Sequence, residues 1–85
     1  MIKTTVKISG MSCSMCEAHI NDTIRKVFSD AKKVSSSHKK GEASFLTQQE
    51  IDETDIEKLR KAIDDTGYSF ISAESKPYEK KFWFK

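Results

Sequence analysis

Apolar and polar residues alternate at the start of the chain. Ile2, Thr4, Val6 and Ile8 fall on one side, Lys3, Thr5, Lys7 and Ser9 on the other. This period of two predicts a half-buried strand, and Gly10 ends it. Beyond a polar loop through Cys13 the period changes. Ile20, Ile24, Val27 and Phe28 recur at helical spacing. Ser14-Met15-Cys16-Glu17 reads as a capping box, with Ser14 as N-cap and Glu17 reaching back to it. The first helix is therefore expected from near Met15 to near Phe28, closed by Ser29 and Asp30. Ala31 to Ser37 reads as a weaker strand centred on Val34. His38-Lys39-Lys40-Gly41 reads as a hairpin turn in which Gly41 takes positive φ. Ala43, Phe45 and Thr47 alternate in a third strand. A second capping box, Thr54-Asp55-Ile56-Glu57, opens a helix that buries Ile56, Leu59, Ala62 and Ile63. Gly67 is its expected stop, and Tyr68 to Ala73 form a fourth strand.

The order βαββαβ is two split β-α-β units. With right-handed crossovers it predicts an α+β, ferredoxin-like domain, a four-stranded antiparallel sheet with both helices on one face. The other face stays wet, which accounts for the Lys and Thr positions of the first strand. The domain is expected over residues 1–75. Residues 76–85 stand apart as an aromatic and basic tail: Pro77 breaks the strand, and Tyr78, Phe82, Trp83 and Phe84 mix with Lys80, Lys81 and Lys85. Readings of the tail range from an unstructured end to a cover for the sheet face, a membrane contact or a partner contact.

A chain of 85 residues fits one domain with a small core. Net charge is only +2, without a long run of one sign, so bulk attraction to nucleic acid is not implied. No stretch has the roughly 18 apolar residues of a membrane span. Met1-Ile2-Lys3-Thr4-Thr5 lacks the apolar core of a signal peptide, so the expected location is the cytoplasm, with membrane contact only through a transporter partner. Two cysteines are too few for a disulfide framework, and in a reducing compartment a close pair reads as metal-binding or redox-active. Charges segregate: Lys39 and Lys40 fall on one side of the domain's loop end, Asp64 and Asp65 on another. Most such charges form solvated faces, and these four are candidates for orienting a partner.

Cys13 falls in the loop and Cys16 in the first helical turn, so two intervening residues let both sulfurs converge on one point. Unpaired N–H groups and the positive end of the helix dipole favour thiolate there. Thiolates suit soft metals. Two or three soft ligands satisfy Cu(I), whereas structural Zn(II) wants four and no second C-x-x-C or H-x-x-H supplies the rest.

Gly10-Met11-Ser12-Cys13-Ser14-Met15-Cys16 resembles the GMxCxxC loop of the heavy-metal-associated domain family, which includes bacterial copper chaperones and N-terminal domains of heavy-metal-transporting P-type ATPases. The likeness runs over residues 3–75. Ile20 and Ile24 match the family's apolar helix positions, and Ala62-Ile63-Asp64-Asp65-Thr66-Gly67-Tyr68 resembles its usual end of the second helix. The resemblance implies Cu(I), or a related soft ion, on Cys13 and Cys16. It implies that Met11 packs inward below the loop and that Tyr68 shields the site. It implies a P-type ATPase or a copper-sensing regulator as partner. Ser12 replaces the acidic residue of many zinc- or cadmium-linked members, which leans toward copper. The segment Ser35-Ser36-Ser37 is more polar than the family's usual second strand.

The sequence reading is thus a cytosolic carrier, not an enzyme, delivering Cu(I) by thiolate exchange. Alternatives are a mercury-, cadmium- or zinc-handling protein and a thiol-disulfide oxidoreductase, although the latter typically has a longer chain and a cis-proline facing its cysteines. A metal-bridged homodimer sharing the ion through four sulfurs also fits. Met15 adds a thioether between the cysteines but reads as a flexible surface residue. His19, one turn beyond Cys16, reads as solvated. His38 falls at the loop end on topology, off to one side on an outer strand. Met1 directly before the first strand and the unusual tail favour a free-standing protein.

Overall fold

In a computed structural model describing residues 1–77, the chain forms β1 (Ile2–Ser9), α1 (Ser14–Val27), β2 (Lys32–Ser37), β3 (Glu42–Thr47), α2 (Glu53–Asp65) and β4 (Ser69–Pro77). The tail readings at Tyr78, Phe82, Trp83 and Phe84 lie outside the described residues. The strands make one sheet in the order β2-β3-β1-β4, every pairing antiparallel. This is the expected ferredoxin-like arrangement. None of the described helices is long and apolar enough to cross a membrane.

The register explains the alternation in β1. Thr4 lies opposite Phe45 and Val6 opposite Ala43, which sends these four to the helix-covered face. There Val6, Ile8 and Phe45 meet Ile20 and Ile24 of α1 and Leu59 and Ile63 of α2. Phe28, just past α1, stacks on Phe45 with ring centroids 5.3 Å apart. Thr4 is wholly buried, and its hydroxyl is satisfied by the Ser75 hydroxyl at 2.9 Å. The opposite face carries Lys3, Thr5 and Lys7 against Leu46, Ser44 and Glu42. Leu46 is the exception there: it is buried, flanked across the ladders by Lys3 and Lys32.

Both helix starts differ from the capping-box expectation. Cys13, not Ser14, is the N-cap of α1, and no side chain caps it. Glu17 is drawn away from the cap by a partner in the hairpin, described below. In α2 the cap is Asp52, whose carboxylate accepts from the Asp55 N–H at 2.9 Å; the helix begins ahead of Thr54, and Glu57 pairs with Arg60. Asp52 precedes Thr54 and is an equally strong capping residue, so the earlier start wins. β2 starts at Lys32, where Lys33 at φ +52 displaces the register before Ser35. β4 runs past Ala73 to Pro77 because the first half of β1 offers it a partner. On this edge strand a terminal proline is tolerated.

Phe45 fills the centre between sheet and α1. Phe45→Ala is expected to lower unfolding free energy by about 3–5 kcal/mol in a denaturant titration. Ile71→Ala, at a 61% exposed position on β4, should stay within about 0.5 kcal/mol of the wild type.

Candidate metal centre

The loop between β1 and α1 is anchored at both ends. Met11 is buried with the core, below the loop. Gly10 adopts φ +97, a backbone conformation that favours glycine, while a Cβ there would meet the Tyr68 ring at an ordinary contact distance of 3.6 Å, so it is the turn that selects glycine. At the far end Cys16 is half-buried against the core in the first turn of α1. Between these anchors Cys13 is exposed, in extended backbone, and its carbonyl accepts from the N–H groups of Cys16 at 3.0 Å and Glu17 at 3.3 Å. The two sulfurs are free thiols 3.2 Å apart. The loop and helix geometry therefore brings Cys13 and Cys16 together at one accessible end of the fold.

The two sulfurs are not equivalent. The Cys16 thiol is lowered to about 6, first by hydrogen bonding from the Tyr68 hydroxyl. The backbone N–H of Ser12, the Cys13 thiol and the backbone of Cys13 add to this, while partial burial opposes it. The loop amides thus form a small nest around one sulfur. The same interaction raises the Tyr68 phenol, with burial and the charge of Cys16 as further causes. Tyr68 occupies the turn between α2 and β4.

Two polar contacts that sequence reasoning missed flank the first turns of α1. Glu17 Oε2 accepts from the His38 backbone N–H at 2.8 Å and lies 2.7 Å from His38 Nδ1. The backbone bond and then the ring hold the Glu17 carboxyl below its usual range. One turn on, the Ser36 hydroxyl donates to Asn21 Oδ1 at 2.6 Å. These contacts explain the polar second strand: its inward side meets a polar stripe of α1. On the other flank His19 Nδ1 lies 3.3 Å from the Tyr68 hydroxyl, so His19 is exposed but not merely solvated. The topology placed His38 at this end of the domain; no local pattern pointed to Glu17 or Tyr68 as partners. Among the described residues no group of three or more His, Cys, Asp or Glu side chains gathers around an ion position. Met15 is 68% exposed. Asp64 is engaged within the domain, accepting from the Phe70 N–H at 3.0 Å and lying 3.5 Å from Arg60.

The lowered Cys16 thiol sets a pH dependence. The thiolate is the nucleophile, so alkylation of Cys16, mapped by mass spectrometry on reduced metal-free protein, should rise through a midpoint near pH 6. An ordinary thiol rises near pH 8.5. Tyr68→Phe removes the largest cause and should move the Cys16 midpoint upward. Between these two pH values the unfolded chain binds more protons than the folded one. Stability of the metal-free domain should therefore increase with pH across this window, and the Cys16 contribution should be lost as pH falls through 6.

Residues 5–69 match the heavy-metal-associated domain. The chain is similar to a mercuric reductase of Lysinibacillus sphaericus, with 40% identity over 68 residues that make up 80% of this chain and 12% of the reductase. It thus spans about an eighth of the length of the curated relatives it matches. Among solved structures, oxidised MerP from Ralstonia metallidurans CH34 superposes with a TM-score of 0.64 at 27% identity, covering 84% of this chain and 96% of MerP. The CopZ metallochaperone superposes with a TM-score of 0.64 at 18% identity, covering 81% of this chain and 98% of CopZ, a likeness of fold. With most of its length matched by the family and a curated relative at this identity, the chain belongs to the heavy-metal-associated domain family, whose members bind soft metal ions.

Proposed function

We propose that this domain carries one soft metal ion between Cys13 and Cys16 and hands it on by thiolate exchange. The observation that carries the reading is a pair of unlinked sulfurs 3.2 Å apart at an exposed end of the fold, one of them held toward thiolate at neutral pH. With a pKa of about 6, Cys16 is roughly nine-tenths ionised at pH 7. Two sulfurs suit ions that accept two-coordinate thiolate ligation. Cu(I) is the cargo favoured by the sequence, and Ser12, where the family resemblance implies an acidic residue in many zinc- or cadmium-linked members, leans toward copper. Hg(II) is the second reading. It is favoured by the similarity to mercuric reductase and to MerP.

Transfer proceeds without releasing a bare ion. A partner thiolate bonds to the metal from the solvent side, giving three sulfur ligands. The Cys13–metal bond then breaks, and Cys13 leaves as a thiolate that takes a proton from water. A second partner sulfur displaces Cys16 in the same way. Metal oxidation state is unchanged, and no covalent bond of an organic substrate is made or broken. The acceptor is a protein that presents a pair of thiols: a heavy-metal-transporting P-type ATPase or its metal-binding domain, a metal-sensing regulator, or a second copy of this chain sharing the ion.

A competition titration of reduced protein with Cu(I), Hg(II), Cd(II) and Zn(II) tests this. One equivalent of Cu(I) should bind, and Cys13→Ser and Cys16→Ser should each abolish it. Preference for Hg(II) in the presence of Cu(I) moves the cargo to the second reading. Turnover of a disulfide substrate by the metal-free protein, with neither ion held at the sulfurs, sinks the carrier.

A further inference from the structure

We infer that Glu17 is a positioning residue of this centre: through the hairpin turn at 38–41 it ties the start of α1 to the end of β1 and so holds Cys13 and Cys16 at a fixed spacing. The inference rests on the reading of Cys13 and Cys16 as metal ligands.

The loop that carries the cysteines leaves the sheet after β1 and ends in the first turn of α1. Both of its ends are bonded to the same hairpin turn. On the strand side the Ile8 N–H donates to the Gly41 carbonyl at 2.8 Å. On the helix side Glu17 Oε2 accepts from the His38 backbone N–H at 2.8 Å and lies 2.7 Å from His38 Nδ1. The turn between these contacts is itself closed, the Gly41 N–H donating to the Ser37 carbonyl at 2.9 Å. Gly41 takes φ +68, and a Cβ there would come within 3.3 Å of the Ile8 carbonyl oxygen, so the turn is shaped to the strand end. The contacts form a ring that runs from β1 through the loop to α1, across to the hairpin and back to β1.

Glu17 is the member of this ring beside the sulfurs. It follows Cys16 directly, and its own N–H donates to the Cys13 carbonyl at 3.3 Å. One residue therefore adjoins the backbone of both cysteines and grips the hairpin with its side chain. The His38 and Glu17 side chains are only 31% and 26% exposed, so their contact is partly withdrawn from the water that weakens surface pairs. The bond from Ser36 to Asn21, one turn further along, joins the same two elements at a greater remove from the loop. Cutting the Glu17 contact frees the helix-side end of the loop from the hairpin, while the buried Ile20 and Ile24 keep the body of α1 in place. The sulfurs then sample wider separations and act less often as a pair.

The test reads the sulfur pair without metal. Reduced protein is equilibrated with reduced and oxidised glutathione. Cys13 and Cys16 give up two hydrogens to form a disulfide, and glutathione disulfide takes them up to become two thiols. The equilibrium reports the effective concentration of one cysteine at the other. Glu17→Ala should lower it roughly three- to thirtyfold, the range that lost hydrogen bonds to a charged group supply. Glu17→Gln keeps an oxygen within reach of the His38 N–H and should stay within about threefold of wild type. Glu17→Asp keeps the charge but withdraws the oxygens by one methylene, and should resemble Glu17→Ala. Ser36→Ala should lower the denaturation midpoint and leave the effective concentration unchanged, which separates positioning from general support of the fold. Cu(I) affinity, from competition with bicinchoninate, should fall in the same order across the series. Glu17→Asp behaving as wild type beside Glu17→Gln behaving as Glu17→Ala makes charge the cause and overturns the inference. An unchanged effective concentration in Glu17→Ala, or a loss in Ser36→Ala as large as that in Glu17→Ala, overturns it too. If wild type fails to take Cu(I) on its two cysteines, the carrier reading has failed for that ion, and the glutathione series still decides the brace.

Discussion

The geometry of the centre depends on where the first turn of α1 is held against the sheet. Ile20 and Ile24, one and two turns further along, are fully buried, and each contributes about 1.5–3 kcal/mol of apolar burial. Met11 is anchored in the same core at the near end of the loop. Five residues, Ser12 to Cys16, therefore bridge two fixed points. A segment this short has few conformations left, so the entropy of bringing the sulfurs together is met mostly by folding. Small domains have little core to spend, and this one spends it on both sides of its reactive loop. The contacts from Glu17 to His38 and from Asn21 to Ser36 then fix the helix sideways against edge strand β2.

The helix start gives up local stability for chemistry. A Ser, Thr or Asp N-cap would place an oxygen on the free amides of the first turn, a contribution of about 1 kcal/mol. Here the cap residue is Cys13, whose side chain makes no such bond. The neighbouring Ser14 sits inside the helix and does not cap it. Glu17, the other half of a capping box, is occupied by His38. An anionic oxygen close to the loop amides would compete with Cys16 for the same positive potential. With both oxygens elsewhere, the loop amides are left to sulfur, and after the Tyr68 hydroxyl the backbone of Ser12 and the thiol and backbone of Cys13 lower the Cys16 thiol. Glu17 is engaged nonlocally instead, in its pair with His38.

The strand and helix order was legible in the sequence because each element carries one dominant period, and burial follows that period at Val6, Ile8, Ile20, Ile24, Leu59 and Ile63. The two capping misreadings arise where a side chain had a choice. Glu17 and Glu57 each fit a cap pattern but found better partners in His38 and Arg60. Asp52 preceded the expected N-cap. Leu46 sits out of phase with the inward positions of β3, and Lys33 breaks the register of β2 through a left-handed backbone that no local motif announces. At the centre, the C-x-x-C spacing placed the sulfurs, and the family resemblance pointed to Met11 and Tyr68. The histidine contacts were illegible because they span 21 and 49 residues and depend on the register of a hairpin and the exit angle of α2. Such contacts exist only after the sheet is assembled.

Inequivalence of the sulfurs matters more to a carrier than affinity does. If both thiolates were equally covered, an acceptor would have to open the whole site before the first new bond formed, and the barrier would carry two lost ligands at once. If both were equally exposed, glutathione and other small thiols would strip the ion as readily as the intended partner. In the proposed carrier, with Cys16 held by the loop amides and Tyr68 and Cys13 open to solvent, one bond would exchange while the other still held the metal. The partner needs to reach only Cys13 first. The second exchange then takes place inside a docked complex, where its thiols act at an effective concentration far above that of free competitors. On that proposal, selectivity for an acceptor would reside in docking, and the metal loop itself would need only to stay rigid on one side and accessible on the other.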